Sequence, residues 1–306
     1  MALPSALQNR LRLPVVGAPL FIISNPDLVI AQCKAGVVGS FPALNARPEP
    51  VLEEWLERII SELAAYDEAN PDAPSAPFAV NQIVHGSNAR LKHDMDMCVK
   101  YKVPIVITSL GAKEWVNEMV HSYGGIVLHD VINNRFAKKA IEKGADGLIA
   151  VAAGAGGHAG TTSPMALIQE IREWFDGPLL LSGSIATGDA VLAAQAMGAD
   201  LAYIGSAFIA TEEADAEQAY KQAIVDYGLM TLCTAACSRA FTAITSSHRS
   251  KQPDLTPPTC PKAIQARWTL AREAIPMPKP GRIYGDAVRG SAQSKSWAPL
   301  VITLLS

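Results

Sequence analysis

The chain has 306 residues, 49% of them hydrophobic and 18% charged, with a formal net charge of −3. That is enough apolar material for one large core, and the slight negative charge excludes a protein drawn to nucleic acid or anionic membrane by its overall charge. Every apolar run is cut by a charge, Gly or Pro before it reaches bilayer-spanning length, so a membrane span is excluded as well.

The opening MALPSALQNRLRLP has no continuous apolar stretch before a small-residue cleavage site, and no secretory signal is expected. Five cysteines (Cys33, Cys98, Cys233, Cys237, Cys260) are sparse and odd in number. They fit reduced thiols of a cytoplasmic protein better than a disulfide frame. The pair Cys233-x-x-x-Cys237 has no matching second pair, so no metal site is expected.

From residue 13 onward, short apolar runs predict strands at Leu13–Ala18, Val37–Ser40, Phe78–Gln82, Pro104–Ser109, Gly125–Asp130, Gly147–Ala152, Pro178–Ser182 and Leu201–Gly205. Each is followed by a stretch that reads as helix. Apolar residues recur at three- and four-residue spacing over Glu49–Tyr66, Ala112–Ser122, Asn133–Lys143, Pro164–Phe175 and Gly188–Met197. Nearly all-apolar strands alternating with helices indicate a helix-covered parallel sheet. Eight such units predict the α/β class, as a (β/α)₈ TIM barrel over residues 1–227; an open doubly wound sheet is the alternative. The repeated Lys-Gly-Ala-Asp (143–146) and Met-Gly-Ala-Asp (197–200) mark the same rhythm, a helix ending at Gly and a strand starting after Asp.

A barrel of this type carries its chemistry on the loops after the strands, with phosphate after strands seven and eight. Those positions hold Gly183-Ser184 and Gly205-Ser206. Glycine lets backbone N–H groups approach an anion, and a following helix N-terminus favours its charge; ordinary tight turns would also look like this. The loop after strand six, AAGAGGHAG (152–160), has so little side-chain bulk that a flat ligand could lie against it, and His158 is its only ionisable group. An imidazole there could take a proton from carbon or orient an anionic oxygen, or it could simply cap the next helix. Asn81 ends strand three with an amide able to donate and accept, suited to the edge of a heterocycle or to a turn. Ala18, in Gly17-Ala18-Pro19-Leu20, leaves room for a ring at the end of strand one. His129 ends strand five and either lines the pocket or is buried structurally; His85, His93, His121 and His248 are weaker candidates.

Together the phrases GAPL, AGVVGSF, GAGGHAG, LLLSGSIATGDAVLAAQAMGAD and YIGSAFIATEEA, in that order, resemble the nitronate monooxygenase (2-nitropropane dioxygenase) family over residues 13 to about 227. The resemblance implies noncovalent FMN and a catalytic His158. It implies phosphate contacts at Gly183, Ser184, Gly205 and Ser206, and ring contacts at Ala18 and Asn81. The implied partners are an alkyl nitronate or nitroalkane and O₂, the products a carbonyl compound and nitrite. The family's usual Met in the first motif is Leu20 here, and its Gly-Gly pair after strand seven is Gly183-Ser184. An FMN-dependent NAD(P)H:quinone or enoyl-acyl-carrier-protein reductase on the same barrel is the nearest alternative. A phosphosugar isomerase or lyase would need a Lys or carboxylate at a strand end, for which Asp130 is the candidate.

After residue 228 the periodicity stops, and residues 228–306 read as an aberrant tail in place of the family's substrate-enclosing region. Back-translating Leu229–Ser246 one nucleotide earlier permits DDVVYxxLFTGVHGNxL, and the same shift over Lys279–Lys295 permits AWKDIWGCGQGIGAVK. Both strings look like the continuation expected of the resemblance. A shifted reading frame from about residue 228 is therefore expected, with a poorly ordered tail, weaker FMN retention and lower activity.

Overall fold

The computed structural model describes residues 3–4 and 7–226. The expectations for residues 228–306 lie outside the described residues.

Among the described residues, eight parallel strands alternate with helices: β1 (Val15–Gly17), β2 (Gly39–Pro42), β3 (Phe78–Ile83), β4 (Ile105–Ser109), β5 (Ile126–Val131), β6 (Gly147–Val151), β7 (Leu179–Ser182) and β8 (Leu201–Ile204). The pairing order β1-β8-β7-β6-β5-β4-β3-β2 bends the sheet round until its edges meet. The remaining seam, between β1 and β2, is closed by a Val16–Val38 bridge. Two backbone hydrogen bonds make it, Gly17 N–H to Val38 O at 2.8 Å and Val38 N–H to Val15 O at 3.2 Å. The fold is a TIM barrel, and the open sheet is excluded. Every predicted strand is present, shifted by at most two residues at either end. β2 starts later than expected because the backbone of Val38 goes to the seam.

Outside the barrel lie α1 (Pro26–Lys34), α2 (Val51–Ala69), α3 (Leu91–Lys100), α4 (Glu114–His121), α5 (Asn134–Glu142), α6 (Pro164–Arg172), α7 (Gly188–Ala196), the short α8 (Ser206–Ile209) and α9 (Gln218–Asp226). Side-chain oxygens accept from otherwise unpaired N–H groups at three helix starts: Asn25 from Leu28, Asn133 from Phe136, and Thr187 from Ala190. The two Gly-Ala-Asp repeats have one job. Asp146 Oδ2 accepts from Val127 N–H at 2.7 Å, and Asp200 Oδ2 from Leu179 N–H at 2.8 Å. Each aspartate thus ties the start of its own strand to the start of the preceding one. Asp200 also pairs with Arg172 at 2.7 Å.

Successive strand residues face opposite sides, and the two sides form separate clusters. Val16, Val38, Ala79, Ile105, Ile107, Leu128, Ile149, Leu180 and Leu201 fill the barrel, joined by Leu7 from the segment that precedes β1. The other faces pack against the helices, through residues such as Phe41, Val80, Val106, Val127, Leu148 and Leu179. Cys33 and Cys98 are buried free thiols, and burial pushes each up to about 12. No described helix is long and apolar enough to cross a membrane.

Candidate active site

One step beyond the apolar filling, the same inward faces change character. Two residues after Val16, Ala79, Ile107, Leu128, Ile149, Leu180 and Leu201 come Ala18, Asn81, Ser109, Asp130, Val151, Ser182 and Tyr203. The alternation turns these seven toward the mouth at the C-terminal ends of the strands. Mostly aliphatic filling therefore gives way to a mixed layer in which Asn81, Ser109, Asp130, Ser182 and Tyr203 carry hydrogen-bonding groups.

Asn81 is 5% exposed. Its amide nitrogen donates to Ser109 Oγ at 2.8 Å and to Ile107 O at 3.2 Å. Both donor hydrogens are thus committed to β4. What Asn81 has left to offer a ligand is its carbonyl oxygen. Ser109, absent from the sequence reading, fixes this orientation.

Ala18 lies on the same rim. Its N–H donates to Ile204 O at 2.7 Å, and a Cβ placed on Gly205 would come 3.6 Å from the Ala18 Cβ and 3.2 Å from Leu20 Cδ2. The turns after β1 and β8 are thus in contact. Ser206 begins α8, directly after Gly205.

The turn after β7 is fastened in the other direction. Ala152 N–H donates to Ser182 O at 3.0 Å, and Ser184 N–H donates to Gly154 O at 3.1 Å. These two bonds continue the β6–β7 ladder into the loops. The Ser184 hydroxyl donates to the same Gly154 oxygen at 3.0 Å. Ser184 holds φ 52°, and Gly183 holds φ 148°. The structure therefore gives Ser184 a protein partner where an anion contact was expected.

His158 stands exposed on the loop between these anchors. The loop's outgoing leg returns to the barrel through Gly160 N–H to Val151 O at 3.0 Å and Ala153 N–H to Thr162 O at 2.9 Å. A side chain at position 160 would force a shift, since a Cβ there would meet Ile132 O at 2.7 Å and Val151 O at 2.9 Å. The loop is short, clasped at both ends, and almost bare of side chains except the imidazole.

His129 takes the structural option. It neighbours the inward-facing Asp130 and points the other way, buried, with Nδ1 2.6 Å from Thr108 Oγ1. Burial lowers its pKa to about 4, so at neutral pH it is an uncharged hydrogen-bonding group behind the barrel wall. His121 pairs with Asp146 at 2.8 Å on the surface, and His85 bonds Ser87. His93 sits beside Asp94. Among the described residues, no cluster of three His, Cys, Asp or Glu could hold a metal ion.

Comparison with known proteins adds the family. The profile of the nitronate monooxygenase family matches residues 56–252, more than half of the chain and some distance past residue 227. A nitronate monooxygenase of Paraburkholderia phytofirmans is 25% identical, covering 80% of this chain and 78% of its own. A (3aS,4S,5R,7aS)-5-hydroxy-7a-methyl-1-oxo-octahydro-1H-indene-4-carboxyl-CoA dehydrogenase of Rhodococcus jostii is 24% identical over 71% of this chain, and the chain spans only 57% of that relative's length. Among solved structures, FabK of Thermotoga maritima superposes with a TM-score of 0.60 at 26% identity, covering 72% of this chain and 66% of its own. A nitroalkane oxidase of Streptomyces ansochromogenes shares the fold with a TM-score of 0.64, 24% identity and coverage of 72% and 73%. The chain belongs to the nitronate monooxygenase family of oxidoreductases.

Proposed function

We propose that the protein binds FMN at the barrel mouth and oxidises alkyl nitronates with O₂ to a carbonyl compound and nitrite, with His158 as the base or orienting group. The observation that carries this reading is the lacing of the His158 loop to the turn after β7, next to the turn after β8. It brings an imidazole-bearing loop beside two glycine turns of the kind that hold phosphate.

The residues present suit FMN. Backbone N–H groups of Gly183, Gly205 and Ser206 would take the phosphate. Ala18 leaves room at the rim, and the Asn81 carbonyl oxygen would accept from an N–H of the ring's pyrimidine edge. When bound, FMN would supply the one-electron redox chemistry between the nitronate and O₂. The chain's own part is positional and protonic. A cationic His158 would hold the nitronate oxygens, and a neutral one would take the α-proton of a nitroalkane onto a ring nitrogen. Val151 and Tyr203, partly buried against the barrel filling, would lie beneath the bound ring.

The test is to purify the full chain with FMN, measure bound flavin by its visible absorbance, and assay nitrite released from a nitronate without nicotinamide. Bound flavin with nitrite release supports the reading. A colourless protein that takes up no FMN refutes it. The likeness to FabK, together with the dehydrogenase relative, favours a second reading, an NAD(P)H-dependent flavin reductase acting on an acyl thioester. Rapid anaerobic bleaching of the flavin by NADH, without nitrite release from nitronate, would select it.

A further inference from the structure

We infer that Ser184 is a positioning residue for His158, locking the histidine loop to the turn after β7, and that it is not a phosphate ligand. The inference rests on the proposed function for its catalytic part. Its structural part stands on hydrogen bonds alone.

Both donors of Ser184 converge on one acceptor. The N–H reaches Gly154 O at 3.1 Å and the hydroxyl reaches it at 3.0 Å. An N–H so engaged already has a protein acceptor. Gly154 lies four residues before His158, and of the loop's fastenings to another strand's turn this is the one nearest the imidazole in sequence. The fit leaves no slack, because a Cβ on Gly154 would stand 2.6 Å from Ser184 Oγ.

The backbone indicates that the hydroxyl has a purpose. Ser184 holds φ 52°, in the left-handed region where a non-glycine residue is strained. Glycine would hold the same backbone and the same N–H bond without that strain. Serine at this place trades some stability for a second donor to Gly154. The predicted signature is thus opposite in sign for stability and for catalysis, which a purely structural residue would not produce.

The experiment compares Ser184→Gly, Ser184→Ala and Ser184→Asn in the full FMN-loaded chain. Asparagine tolerates the left-handed backbone and carries an amide donor. Removing one neutral hydrogen bond corresponds to roughly a three- to tenfold change in the loop's open population. Ser184→Gly should unfold at the same or a higher temperature. It should bind FMN as tightly as the parent, lose about three- to tenfold in kcat with KM nearly unchanged, and show faster hydrogen exchange at residues 155–159 by a similar factor. Ser184→Ala should match the glycine variant in kcat yet be less stable, and Ser184→Asn should recover most of the lost rate. Hydrogen exchange is also measured on flavin-free protein, so a parent that binds no flavin defeats the proposed function while the lock is still tested. Unchanged exchange and unchanged kcat in Ser184→Gly overturn the inference. Weakened FMN binding with normal kcat per bound flavin also overturns it, and returns Ser184 to the phosphate site.

Discussion

Replacing His129 by asparagine should remove a specific acid sensitivity from the barrel, and its size follows from the burial of the ring. Nδ1 of His129 meets Thr108 Oγ1 at 2.6 Å on the helix-facing side of β5 and β4, and burial holds the folded pKa at about 4. The unfolded chain titrates its histidines near 6.5, so the gap is about 2.5 units, or roughly 3 kcal/mol at about 1.4 kcal/mol per unit. The sign follows from which state takes up the proton. The folded protein refuses it and the unfolded chain accepts it, so stability is full above about pH 6.5 and drains away as the pH falls toward 4. Asparagine places an amide near the Nδ1 position and does not titrate, and the space it leaves costs the same at every pH. The assay is denaturant unfolding of both proteins from pH 7.5 to pH 4, taking the difference at each pH so that other titrating groups cancel. The parent should be the more stable at pH 7.5, and its lead should shrink by about 3 kcal/mol on reaching pH 4. A difference that stays constant across that range refutes the buried, neutral assignment of the ring.

At the candidate site, His158→Ala should cut nitrite release from neutral nitroalkanes by about 10²- to 10⁴-fold. The variant's unfolding temperature is measured in parallel, to separate loss of the imidazole's chemistry from loss of its contacts in the loop. Gly160→Ala drives a methyl group into Ile132 O and Val151 O. Overpacking of this kind costs about 1–3 kcal/mol, and the loop should escape it by releasing its outgoing leg. Proteolytic nicking within residues 153–162 would report that release. Resequencing the source DNA through codons 220–235 should reveal a slipped base, and an unbroken reading ends the frame-shift expectation.

The barrel was legible because its strands are buried on both faces and so appear as near-continuous apolar runs at regular spacing. The same property hid the site. With both faces apolar, no alternation in Ile-Val-Leu-His-Asp tells which side looks into the barrel, so His129 and Asp130 could not be sorted until Leu128 was seen among the filling residues. The glycine turns were readable from strand order alone. Their fastening was not, since the bonds between Ser184 and Gly154 join residues thirty apart. Asn81 was singled out as an amide at a strand end, but its partner Ser109 lies on the next strand, and only the register of Asn81 opposite Ile107 brings the two together. Ser182 and Tyr203 carried a usable signal, a polar-tipped residue two places beyond a filling residue.

The seam between β1 and β2 has a consequence for how the barrel breathes. Every other neighbouring pair of strands is zipped over three to five residue pairs, whereas this junction has one backbone bridge and a single side-chain bond, from the Ser40 hydroxyl to Gly17 O. A closed ring of staves parts first where its hoop is thinnest, so β1 should be the stave whose amides trade with solvent soonest. Each such parting would expose Val16 and Val38 to water and lift Ala18 away from its neighbours on the rim, which makes the same gap a lever by which strain in the first strand reaches the mouth of the barrel.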